Sequence, residues 1–240
     1  MKRTSIALIA LLMVVGLTTS AMAFGVTISS GGESFDLSYL QSESGFVLSE
    51  QTINFSGGDQ VIITGNASAD PIISYGLAVT DFGAPSTFAF VFSIPVLAGE
   101  LPALPTVVTS SIVGGLTDFT GNGVTITATN LNGLIQDNFL QDVAFTWSVG
   151  PTAAFGPGPA GSLYAYGPYT FGPAPGPSGP YTGIFSTTVS FGLSGGGDVA
   201  ALTGFCSINP VVPLPPTLLL LGSGLVGLIG LRVRQRKVSA

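Results

Sequence analysis

Residues 24 to 211 predict an all-β fold, an antiparallel β-sandwich, on three observations. Apolar and polar residues alternate with a period of two in several runs; the stretch is rich in Gly, Ser, Thr, Val, Ile and Phe; and Gly, Asn, Asp and Pro interrupt it at short, regular spacing. Its length suits one domain with its own core.

The strands follow in order. Val61 to Thr64 and Ile72 to Val79 are β-branched runs bounded by turn residues such as Ser56-Gly57-Gly58-Asp59. In the next, Phe88, Phe90, Phe92, Ile94 and Val96 fall on one face. An aromatic stripe of this kind could stack sugars, but alternation so regular favours the inner face of a sandwich. Val107 to Val113 is followed, past Thr120-Gly121-Asn122-Gly123, by Val124, Ile126 and Ala128 alternating with threonines. Phe145 to Val149 is another strand. In the last clear run, Phe185, Thr187, Val189 and Phe191 alternate with Ser186, Thr188 and Ser190, and Thr187 interrupts an otherwise apolar face. Long helical periodicity is missing between the termini; Leu134 to Leu140 is the only segment that suggests a short helix.

Between Gly150 and Gly183 half of the residues are Gly or Pro. Proline removes ladder donors and glycine raises the entropy of ordering, so this stretch reads as a long loop and not a strand pair. Tyr164, Tyr166, Tyr169 and Tyr181 make it a candidate ligand loop, because an aromatic face with a hydroxyl suits a glycan or a protein neighbour.

Charge narrows the function. All six basic residues lie near the termini, all twelve acidic ones lie between them, and there is no histidine. The middle therefore carries twelve formal negative charges with no side-chain cation to pair them. Its carboxylates are expected to stay solvated or to bind cations, and so to lie mostly on turns. Nucleic acid is excluded as a partner, since phosphate contacts need Lys or Arg. Triads needing a His or Lys base, zinc sites and phosphoryl-transfer clamps lack their parts. A two-carboxylate hydrolase is the enzyme class that survives, and no pair of acids stands out, so the expectation is a protein that is not an enzyme and uses no cofactor. No acidic run resembles a dense calcium loop; Asp118 with Asn122, or Asp137 with Asp142, could contribute to a metal site, but ordinary turn usage is favoured, and no metal is expected. Cys206, the single cysteine, has no internal partner and reads as a buried thiol, with an intermolecular bridge as the lesser alternative.

The two ends supply the address. Residues 1 to 23 read as a secretory signal peptide: Lys2 and Arg3, an apolar core from Ile6 to Leu17, then a small-x-small cleavage site at Ala21 and Ala23. Thr217 to Leu231 reads as a membrane-spanning helix followed by a stop-transfer cluster, Arg232, Arg234, Arg236 and Lys237, which places residues 232 to 240 in the cytoplasm. Fifteen helical residues reach about 22 Å against a hydrocarbon core of about 30 Å, so the flanking prolines and the arginine stems must cover the remainder.

Val212-Pro213-Leu214-Pro215-Pro216-Thr217, the leucine-glycine span and the terminal basic cluster, in that order, make residues 212 to 240 resemble the PEP-CTERM sorting tail. Leu214 stands where that family usually has glutamate. The resemblance implies export, processing near the proline motif by a membrane-embedded cysteine transpeptidase (exosortase), and a link to extracellular polysaccharide. The combined expectation is a protein of the cell envelope or extracellular matrix, exported across the inner membrane and anchored N-out, C-in, with the membrane and an exosortase-like enzyme as partners. The alternative is a carbohydrate- or calcium-binding adhesin-like module.

Overall fold

The computed structural model describes residues 25 to 211, apart from 43–44, 69–70, 102–104 and 142–144. Among these residues there are fifteen strands in two antiparallel sheets. The first six are β1 (Gly25–Ser30), β2 (Glu33–Ser38), β3 (Leu40–Ser42), β4 (Gly45–Asn54), β5 (Gln60–Ser68) and β6 (Ile72–Asp81). They are followed by β7 (Ser86–Leu101), β8 (Thr106–Asp118), β9 (Val124–Ala128), β10 (Leu134–Leu140) and β11 (Phe145–Pro151). The last four are β12 (Ala153–Phe155), β13 (Ser162–Pro175), β14 (Tyr181–Leu193) and β15 (Asp198–Pro210).

One sheet runs β11-β10-β14-β7-β1-β2, with β9 and β12 continuing the β14 side; the other runs β13-β8-β15-β6-β5-β4-β3. The chain changes layer repeatedly after β6, so neighbours within a sheet come from distant parts of the sequence. Alternation produces this outcome directly. Every second residue of β7, from Phe88 through Phe90, Phe92 and Ile94 to Val96, points inward and is buried. Phe191 of β14 packs on both Phe88 and Phe90, with ring centroids 6.1 Å apart in each pair. From the other sheet, Tyr75 of β6 stacks on Phe92 at 4.9 Å and 19°. The phenylalanine stripe is core, as its alternation predicts.

Two expectations are corrected. Leu134 to Leu140 is not helical; it is β10, hydrogen-bonded between β11 and β14. Its inward residues include Gln136 and Asn138, both fully buried, and this inverted polarity hides the period of two. The second correction concerns 150 to 183, most of which is not loop but strand. β13 runs 14 residues along β8 at the edge of its sheet. An edge strand needs donors on one side only, which lowers the penalty for proline. The register shifts between Tyr166 and Tyr169 and again between Phe171 and Ala174, so Gly167-Pro168 and Gly172-Pro173 occupy two bulges. Both glycines have positive φ, 84° and 86°, which a side chain would resist.

Candidate functional site

The predicted tyrosine platform is mostly an inner face. Tyr166 is fully buried and donates its hydroxyl to the Pro151 carbonyl at 2.8 Å. Burial pushes that hydroxyl's pKa well above its ordinary value. Tyr169 meets Tyr166 edge-on at 4.9 Å, and Tyr164 stacks on Phe155 at 4.8 Å while bonding the Gly156 carbonyl. Tyr181 is half-buried at the start of β14. The bulges keep Tyr164, Tyr166, Tyr169 and Phe171 against the core, which sequence alternation interrupted by Gly-Pro had obscured.

The carboxylates are the larger surprise. Asp59, Asp81, Asp118 and Asp198 are at most 5 % exposed, so the expectation of solvated turn acids fails at these four. They form a row across one end of the second sheet. Asp198 opens β15 and is paired with Asp81, which closes β6. Val199 pairs with Thr117, setting Asp198 beside Asp118 at the end of β8; Gln60 pairs with Thr80, setting Asp59 beside Asp81.

Backbone N–H groups take the place of the missing cations. Asp118 accepts from the amides of Gly121 and Gly123 at 2.6 and 2.7 Å, closing its own turn. Asp198 accepts from the amide of Phe119 at 3.2 Å and from the hydroxyl of Ser194. Asp59 accepts from the amide of Phe82 at 3.2 Å, and Asp81 Oδ2 from that of Ser86 at 2.8 Å. Each carboxylate thereby ties a neighbouring loop to a strand end. Hydrogen bonds of this charge-assisted kind contribute roughly twice what neutral ones do. The Asp118–Asn122 pairing raised from sequence does not form a metal site: both Asp118 oxygens are committed to the turn, and Asn122 accepts from Thr120. In the other pairing, Asp142 lies outside the described residues.

Asp81 differs from the rest. Its Oδ1 is buried and receives no N–H or O–H, and the group that faces Asp81 is the Asp59 carboxyl. Burial pushes the Asp81 pKa up to about 6; the Ser86 amide pulls against it, the Asp59 carboxyl adds a smaller upward push, and the Gly83 amide a smaller pull still. The folded pKa exceeds the unfolded one. Stability from the protonated group is therefore complete below about pH 4 and is lost as pH rises through about 6. Asp81→Asn should accordingly raise stability by about 1–2 kcal/mol at neutral pH, after allowance for solvent screening. The gain should shrink as pH falls and vanish below about pH 4, as urea unfolding at several pH values would read.

Beside this pair opens a cavity of about 320 Å³ whose wall includes Glu33, Ser56, Gly57, Asp59 and Ser86. The amide and hydroxyl of Ser56 both donate to Glu33 and hold its carboxyl below the ordinary range. Among the described residues no three His, Cys, Asp or Glu side chains converge as a metal-holding group.

A second polar cluster lies between the sheets. Tyr75 donates to Gln136 Oε1 at 2.6 Å, and Gln136 Nε2 donates to Asn138 Oδ1 and to the Phe205 carbonyl. Asn138 bonds the Trp147 carbonyl, and Thr187 reaches both Asn138 and Cys206. Thr187, the flaw in the apolar face of β14, is thus a strut of this network. Cys206 is free and buried as expected, its thiol pKa pushed up to about 12 by burial. These bonds fix the register of one sheet on the other and leave the thiol no access to solvent.

The cleavage residues Ala21 and Ala23, the motif Val212 to Thr217 and the basic cluster Arg232, Arg234, Arg236 and Lys237 lie outside the described residues. Among the described residues no helix is long and apolar enough to cross a membrane. No protein-family model and no curated protein matches the chain.

Proposed function

We propose that this chain is an exported, surface-associated protein of the cell envelope or extracellular matrix, without catalytic activity. Its β-sandwich is the exported body, and its C-terminal tail anchors or sorts it. The observation that carries this reading is the charge partition: no base and no histidine between Phe24 and Leu231, with cations outside both apolar segments. The resemblance of the tail to a PEP-CTERM signal supports processing by an exosortase-like enzyme and a role alongside extracellular polysaccharide. A body whose buried acids mostly accept from its own amides and a hydroxyl suits a structural or interaction role, because those groups are engaged in holding loops.

Cell fractionation with mass spectrometry of the mature chain tests this. The expected product begins at Phe24 and is found with the envelope or outside the cell. Loss or replacement of residues beyond Pro213 would support sorting, and their retention would leave a simple anchor. A full-length chain in the cytosol, with both ends intact, would refute the proposal.

A further inference from the structure

We propose that the outward face of the second sheet pairs two copies of this chain, sheet against sheet. The face is spanned by β5, β6, β15, β8 and β13, whose side chains alternate between core and surface. Asp81, Asp118 and Asp198 all point inward, so no outward side chain on these five strands is charged. The face ends at β4, which carries Glu50. The other sheet differs: Asp36 on β2 and Asp137 on β10 stand on its outer side.

Charge selects the partner. The sandwich has no side-chain cation against its carboxylates, so two copies repel wherever those carboxylates meet. On this broad face they touch without bringing like charges together. Its centre is also partly apolar: Val113 of β8 is 41 % exposed and Phe205 of β15 is 39 % exposed. Val113 pairs with Thr203, and Ser111 with Phe205, so the two large groups are diagonal neighbours. A two-fold axis running along the strands between β8 and β15 lays each copy's β8 over the other's β15. Phe205 then meets Ser111 of the other copy and Val113 meets its Thr203, a large group against a small one each time. The same axis sends both C-terminal ends out at one side, since β15 runs from Asp198 to Pro210 in each copy.

The area is sufficient. Five strands about 4.8 Å apart, followed for about 26 Å from Thr109 to Thr117, give roughly 600 Å² per copy and roughly 1,200 Å² in all. A specific interface needs about 1,000 Å² in total.

The pairing stands apart from export and sorting. Sedimentation equilibrium of the full-length chain in a density-matched non-ionic detergent reads it directly. The wild-type chain should dimerise with a dissociation constant of about 10 µM or tighter. Thr203→Glu, at the exposed centre of the face, should weaken the dimer at least about hundredfold, because each dimer then buries two unpaired carboxylates. Val91→Glu adds the same charge to the outer side of the other sheet and should leave association unchanged. Raising sodium chloride from about 0.02 to about 0.5 M should tighten the wild-type dimer several-fold, as repulsion between the two anionic bodies is screened. A monomeric wild-type chain, undiminished association in Thr203→Glu (the result of a contact through the C-terminal span) or loosening by salt would each overturn the proposal. Should Thr203→Glu fail to fold, Ser111→Glu, opposite Phe205, carries the same expectation.

Discussion

Gly114→Ala is expected to destabilise the sandwich by about 3 kcal/mol or more, a large share of the stability of an ordinary domain. Gly114 lies on β8, which is hydrogen-bonded on both sides, to β13 and to β15. A Cβ there would strike the Ala201 carbonyl oxygen and stand 3.0 Å from Ala201 C and Leu202 Cα. All three are backbone atoms of β15, so no rotamer can relieve the contact, and the ladder must open. Gly115 supplies the control. A Cβ at that position would meet only the Tyr164 carbonyl, at 3.6 Å, and Gly115→Ala should be close to neutral. Urea unfolding of the two variants reads the difference; comparable stabilities would mean that β8 and β15 are not paired in this register.

Tyr166→Ala is expected to cost about 3–5 kcal/mol, the usual range for deleting a fully buried aromatic ring. The ring is fully buried under β13 and its hydroxyl holds the Pro151 carbonyl, so it pins the edge strand to the start of the same segment. Tyr166→Phe keeps the packing and leaves one carbonyl unsatisfied, for a loss of about 1 kcal/mol. Limited proteolysis provides a second readout. In the alanine variant, cleavage should appear between Gly156 and Gly183 well below the global unfolding midpoint. If Tyr166→Ala were as stable as the wild type, that stretch would be the free loop its composition suggests.

This stretch also shows where reading the sequence stops. Strands with unbroken alternation, such as Phe88 to Val96 and Phe185 to Phe191, were legible because burial on one face leaves a direct trace of period two. β13 was not, since each Gly-Pro pair inserts a bulge that resets the phase between Tyr166 and Tyr169. The Gly-Pro pairs recur five residues apart, at 167–168 and 172–173, with aromatic residues alternating between and before them. That spacing is the signal of a bulged edge strand. β10 was hidden for a different reason: Gln136 and Asn138 face inward to bond Tyr75, Trp147 and Phe205, so polarity there reports a network and not exposure.

The candidate site was less legible than the fold. Acidic residues were visible, and so was their lack of cationic partners. Their convergence was not, because Asp59, Asp81, Asp118 and Asp198 are brought together only by the order of strands β5, β6, β15 and β8. Nor does sequence reveal that turn amides can stand in for lysine and arginine. That substitution lets a body of this charge bury four carboxylates, and it leaves one oxygen over at Asp81.

The central claim is that the acidic sandwich and the basic tail lie on opposite sides of a membrane. Cys206 is buried, so the native body has no reactive thiol among its described residues and a single introduced cysteine reports position cleanly. Leu131, fully exposed on the turn before β10, is the place for one reporter, and Ala240 for the other. A membrane-impermeant maleimide added to intact spheroplasts should label Leu131→Cys at once, and any remaining Ala240→Cys only after lysis. Protection of Leu131→Cys until the membrane is broken would contradict the account.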